Sequence, residues 1–137
     1  MLRRPPPALV VVTTAGALLS LTACSGLGNA EADNARTAAQ RFMEAVTDDP
    51  RAACALLAPG TLEELEQSEG ACDEVLPGQD LGSATGPATV EVYGKDAVAH
   101  LGEATVFLAR YDDGWRVTAA GCTPVPDRPY DCTVKGD

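Results

Sequence analysis

Apolar positions recur three and four apart between Ala30 and Thr47, at Ala35, Ala38, Ala39, Phe42, Met43 and Val46, and this spacing predicts one buried helical face. Asp48-Asp49-Pro50 ends that helix, and Asp49 can cap the next one, with Pro50 at its first position and Ala53, Cys54, Leu56 and Leu57 as its apolar residues. Pro59-Gly60 closes the second helix. Thr61 followed by Glu64 then reads as a capping box for a third, striped by Leu62 and Leu65. A last helical turn around Cys72, Val75 and Leu76 stops at Pro77-Gly78, and residues 77 to 87 have no period and read as a loop.

After Pro87 the period changes to alternation, with turn signals about every ten residues. Strands are expected over 88–93, 97–101, 104–111 and 115–122, joined at Gly94-Lys95-Asp96, Gly102-Glu103 and Asp112-Asp113-Gly114. Helices followed by strands without alternation predict an α+β fold, with N-terminal helices packed on one face of an antiparallel meander of about four strands. The proline-rich residues 123 to 132 read as a C-terminal flap held down by Cys122 and Cys132.

The first residues are of a different kind. Arg3 and Arg4 precede a short apolar run from Ala8 to Ala23, the order of an export signal. The run is too short for a membrane span, which needs roughly 20 apolar residues. Leu21-Thr22-Ala23-Cys24 resembles the lipobox of bacterial lipoproteins. That resemblance implies cleavage between Ala23 and Cys24 and diacylglyceryl transfer to the Cys24 thiol. The expected organisation is a signal peptide over 1–23, a lipidated flexible tether over 24–29 and a single domain over 30–137. Each buried acyl methylene contributes about 0.8 kcal/mol, so two or three chains would hold the domain at the extracytoplasmic face of the cell membrane.

Charge narrows the partners. The chain carries a formal charge of −10, and losing Arg3 and Arg4 makes it more acidic still. Such a surface repels nucleic acid and anionic headgroups, so no nucleic-acid partner is expected and the lipid alone must hold the membrane. The chain has five cysteines. With Cys24 taken by lipid, Cys54, Cys72, Cys122 and Cys132 form an even set in a compartment that tolerates disulfides. Three connectivities are open to four cysteines. Pairing of chain neighbours, Cys54 with Cys72 and Cys122 with Cys132, is the expectation. Spacing and a single histidine, His100, speak against zinc, and no cofactor is expected.

A long amphipathic helix, short helices and then hairpin strands ending in "FLARYDDGWRV", residues 107 to 117, resemble the NTF2-like (cystatin-like) lipoproteins of actinobacteria. The resemblance implies a cone-shaped pocket between sheet and helices, for which Phe42, Tyr93, His100, Phe107 and Trp115 are the candidate lining. Three classes of function are then open. One is a non-catalytic binding or accessory module for an envelope protein partner or a small apolar ligand, which is the reading adopted. The second is an isomerase-like or dehydratase-like enzyme with His100 as base and Tyr93 or Tyr111 as donor, since such a reaction needs a base opposite a group that stabilises the oxyanion. A structural envelope module is the third. No nucleophile elbow or phosphate loop occurs, and the acidic run at 63–69 reads as a solvated helix face.

Overall fold

Alternation and helical spacing resolve into two layers in the computed structural model, which describes residues 25–136. Helix α1 (Ser25–Asp48) is followed by α2 (Pro50–Leu56), α3 (Pro59–Ser68) and the single turn α4 (Cys72–Val75), which runs into a 3-10 turn at Leu76–Gly78. Strands β1 (Ala88–Tyr93), β2 (Asp96–Leu101), β3 (Ala104–Tyr111), β4 (Gly114–Val125) and β5 (Arg128–Lys135) then form one antiparallel meander in the order β1-β2-β3-β4-β5. The fold is α+β, as the change of period predicts.

The register places two long apolar rows against the helices. Val90, Ala99, Val106, Ala120 and Val134 form the central row, and Val92, Ala97, Leu108 and Val117 the next. They meet Ala35, Ala39, Phe42 and Val46 of α1, with Leu57, Leu65 and Leu76 from the shorter helices closing the core. Phe42, Leu57, Leu76, Val106, Leu108 and Val117 are fully buried, so the space between sheet and helices is filled by side chains. Among the described residues no buried side-chain polar atom lacks a partner.

Four local readings are corrected. The sheet has five strands rather than four, because 123–132 is the end of β4, a turn and the start of β5 instead of a flap. Prolines obscure the strand in the sequence, yet Pro129 lies on an edge strand, where a missing N–H is tolerated. The turn is Pro126-Asp127, with Asp127 at a φ of 64°. Thr61 does not cap a helix: α3 starts at Pro59, and the buried Thr61 hydroxyl donates to the Thr118 carbonyl of β4 at 2.9 Å. Pro59-Gly60 does not close α2, which ends at Leu56, because Pro59 occupies the first turn of α3. Residues 25–29 belong to helix α1 and are helical rather than a loose tether. Gly28 to Ala30 are exposed there, and with nothing apolar to bury that turn leaves no mark in the hydrophobic pattern.

The Asp49 cap does form, its carboxylate accepting from the Ala52 N–H at 3.2 Å. Before β1, the only strand-like pairing among the described residues is one parallel bridge, Leu57 to Val117, where Ala58 donates to the Val117 carbonyl at 2.7 Å. Two glycines seat the loop after α4 on the sheet. Gly102 (φ 58°) and Gly121 (φ 64°) turn in the left-handed region, and a Cβ on either would run into a carbonyl, that of Thr85 or Asp80.

Candidate functional site

The disulfides are Cys54–Cys72 and Cys122–Cys132. The first ties α2 to α4, and the second bridges a registered pair of the β4–β5 hairpin. Ala23 and Cys24 lie outside the described residues. Among the described residues no helix is long and apolar enough to cross a membrane, and no cluster of three or more His, Cys, Asp and Glu side chains comes together to hold a metal.

The five candidate pocket residues fall on two sides of the sheet. Phe42 and Trp115 are on the helix side, within the core. Tyr93, His100 and Phe107 are on the opposite face, because their registered rows, Thr89-His100-Thr105, Glu91-Val98-Phe107 and Tyr93-Asp96-Ala109, alternate with the core rows. They do not converge on one cavity. The half-buried His100 meets Thr105, with Nδ1 3.1 Å from the hydroxyl. Tyr93 is 63% exposed and donates to the Glu91 carboxylate, whose hydrogen bond and charge push the phenol above its ordinary value. Phe107 stacks edge-on against Tyr130 with ring centroids 5.0 Å apart, so the β4–β5 hairpin lays an aromatic ring on this face. Tyr111, the other phenol considered as a donor, is at the end of β3, in a different part of the molecule from His100.

A cleft of about 530 Å³ opens instead where the first half of α1 crosses the β3–β4 turn. "RYDDGW", residues 110 to 115, is one wall; Glu31, Asn34, Thr37, Ala38 and Arg41 on α1, with Leu56 at the end of α2, are the other. Arg110 and Trp115 are registered partners on the helix-facing side. Glu31 ties them to α1: its carboxylate accepts from the indole N–H at 3.1 Å and pairs with Arg110 at 3.3 Å. The indole is 7% exposed, so its ring belongs to the core while its edge reaches the cleft floor.

At the rim Arg116 binds Asp113 across the turn and donates to the Ala55 carbonyl at 2.9 Å, clamping the hairpin to the end of α2. That guanidinium holds the Asp113 carboxyl below its ordinary value, while Asp113 raises the Arg116 value in return. Arg41 and Asp112 have no ion-pair partner among the described residues. Past Arg41 and Leu56 the cleft continues as a groove of about 460 Å³ between α1 and α2, walled by Ala45, Ala52 and Ala55.

Sequence reasoning overlooked Glu31, Arg41 and Arg110. A signal existed: alternation in "FLARYDDGW" puts Arg110 on the same side as Leu108 and Val106, and a charged side chain on a core-facing row calls for a partner. Glu31 is that partner. No family model matches this chain, and neither the curated proteins nor the solved structures contain a match.

Proposed function

We propose that this chain is a lipid-anchored, extracytoplasmic binding module of NTF2-like type, attached through Cys24 and engaging a protein partner at the cleft between α1 and the β3–β4 turn. The observation that carries the binding reading is the cleft's lining. Arg41, Tyr111 and the edge of Trp115 lie together beside an apolar groove, and Arg, Tyr and Trp are the residues that dominate protein interfaces because they combine large contact area with directed hydrogen bonds. A filled core supports a surface partner over an apolar ligand held inside a cone. The separation of His100 from Tyr111 and from the cleft supports a non-catalytic role, since a base needs its donor within hydrogen-bond reach of one substrate.

The test is capture from the envelope with the full chain, wild type against Arg41→Glu and Tyr111→Ala. Both side chains are exposed, so the fold should be unaffected. A specific envelope protein recovered with wild type should fall by about tenfold or more with either variant, the usual cost of an interface hot spot. Equal recovery would refute the cleft as the contact. Cys24→Ala should move the protein from the membrane to the medium, and continued retention would refute the anchor.

A further inference from the structure

The two edges of the sheet differ in how they end. On β5, Pro129 and Lys135 and a register irregularity against β4 blunt the edge, the devices by which strands avoid pairing with strangers. Strand β1, "ATVEVY", has none of them: it contains no proline or lysine and runs in unbroken register with β2. Its composition, rich in Val, Thr and Tyr, is that of a strong strand former. The apolar core also runs out at this edge. Ala88, Val90 and Val92 are only half-buried, whereas Ala97, Ala99 and Leu101 beside them on β2 are buried.

The direction of the free backbone groups follows from one hydrogen bond. Gly102 donates to the Pro87 carbonyl at 3.1 Å, so in this ladder Pro87 and, by alternation, Thr89, Glu91 and Tyr93 direct their backbone groups toward β2. Ala88, Val90 and Val92 therefore direct theirs outward, and no other described segment bonds to them. Pro87, which lacks an N–H, falls on the inward set and costs the free edge no donor.

We propose that β1 pairs with β1 of a second copy of this chain, antiparallel about a two-fold axis at Val90, joining two sheets into one. Only some registers join outward groups to outward groups. Centred on Val90, Val90 faces its own copy and Ala88 faces Val92, giving about six main-chain hydrogen bonds and continuing the half-buried apolar row into the second copy. Glu91 then stands opposite Thr89, and the exposed Tyr93 ring lies opposite Pro87. Centring on Glu91 sets two carboxylates directly across from each other, a destabilising pair. Centring on Thr89 leaves Val92 unmatched and makes fewer bonds. The strand is thus complementary to itself in one register, and that makes a second copy the fitting occupant.

Cysteine cross-linking of the full chain in membranes reads that register. Thr89 and Glu91 are exposed, so Thr89→Cys and Glu91→Cys do not burden the core. In the Val90-centred pair they face each other at a non-hydrogen-bonded position, with Cα atoms about 4.5 Å apart, within disulfide reach. Two differently tagged copies, one carrying Thr89→Cys and the other Glu91→Cys, should form about tenfold more mixed dimer under mild oxidation than Thr89→Cys forms with itself. Peptide mapping confirms that Cys54–Cys72 and Cys122–Cys132 remain paired. Self-linked Thr89→Cys as the main product, monomers throughout, or a thiol joined to a different protein would overturn the proposal.

Discussion

In two side-chain pairs, Tyr93 with Glu91 and Arg116 with Asp113, a hydrogen bond moves a group away from its ordinary titration value. Glu91 raises the Tyr93 value above 10.0 by accepting its proton in a hydrogen bond and by its negative charge. A group whose folded-state value is raised stabilises the fold below its unfolded value and loses that contribution as pH climbs through the folded one. The contribution is therefore fully present at neutral pH and is lost only in strongly alkaline solution. In an ultraviolet titration of the three tyrosines, Glu91→Gln should bring the highest transition down toward the ordinary phenol value; an unchanged profile would show that the bond does not form. The pair sits i to i+2 on one strand face, so alternation alone makes the neighbours legible, but the bond between them is a matter of rotamer.

Helix starts show how far an element can be read before its neighbours are known. Asp49-Pro50 is a local device, an acceptor beside a residue whose φ is already helical, and it works as its sequence suggests. Thr61 carries the same local signature with Glu64, yet Pro59 starts α3 two residues earlier and the hydroxyl turns to a strand far along the chain. Asp49→Ala should cost about 1 kcal/mol through the lost cap. Thr61→Val should also cost about 1 kcal/mol, because the Thr118 carbonyl of β4 loses its short bond and keeps only the 3.4 Å one from the Gly136 N–H. Thr61→Ser, which keeps the donor, should recover most of the loss in a denaturant melt, and no recovery would refute the bond to Thr118 as its origin.

Over the whole molecule, the disulfides stand in for core area that a domain of this size cannot supply in excess. Cys54–Cys72 closes a sequence separation of 18 and Cys122–Cys132 one of 10. On the chain-entropy model a loop of about 15 residues contributes roughly 3 kcal/mol, and the longer of these two exceeds the shorter by about 0.5 kcal/mol. The Cys54→Ala/Cys72→Ala double variant should therefore be less stable than Cys122→Ala/Cys132→Ala, and by more than that increment, because Cys54 and Cys72 are part of the contiguous hydrophobic core and Cys122 and Cys132 are not. Equal midpoints in thermal unfolding would contradict this. The second bridge instead holds a hairpin whose Tyr130 covers Phe107, so its removal should mainly loosen that face, visible as faster amide exchange in β5.

What the sequence determined by itself is whatever depends on near neighbours: the change of period after Pro87, the Asp49 cap and the order of helices and strands. Cysteine pairing was legible for the same reason, each partner being the nearest in the chain. What only tertiary structure decided depends on register between distant segments. Five strands emerge because Pro129 is placed on an edge, the filled core displaces the expected cone, and Glu31 meets Arg110 and Trp115 across 84 residues of separation between Glu31 and the indole. Period tells which face a residue takes, but two residues share a face with many others, and packing alone selects which of them touch. The free edge of β1 is of both kinds: alternation marks its two faces, and the position of β2 beside it leaves Ala88, Val90 and Val92 as the groups that point outward.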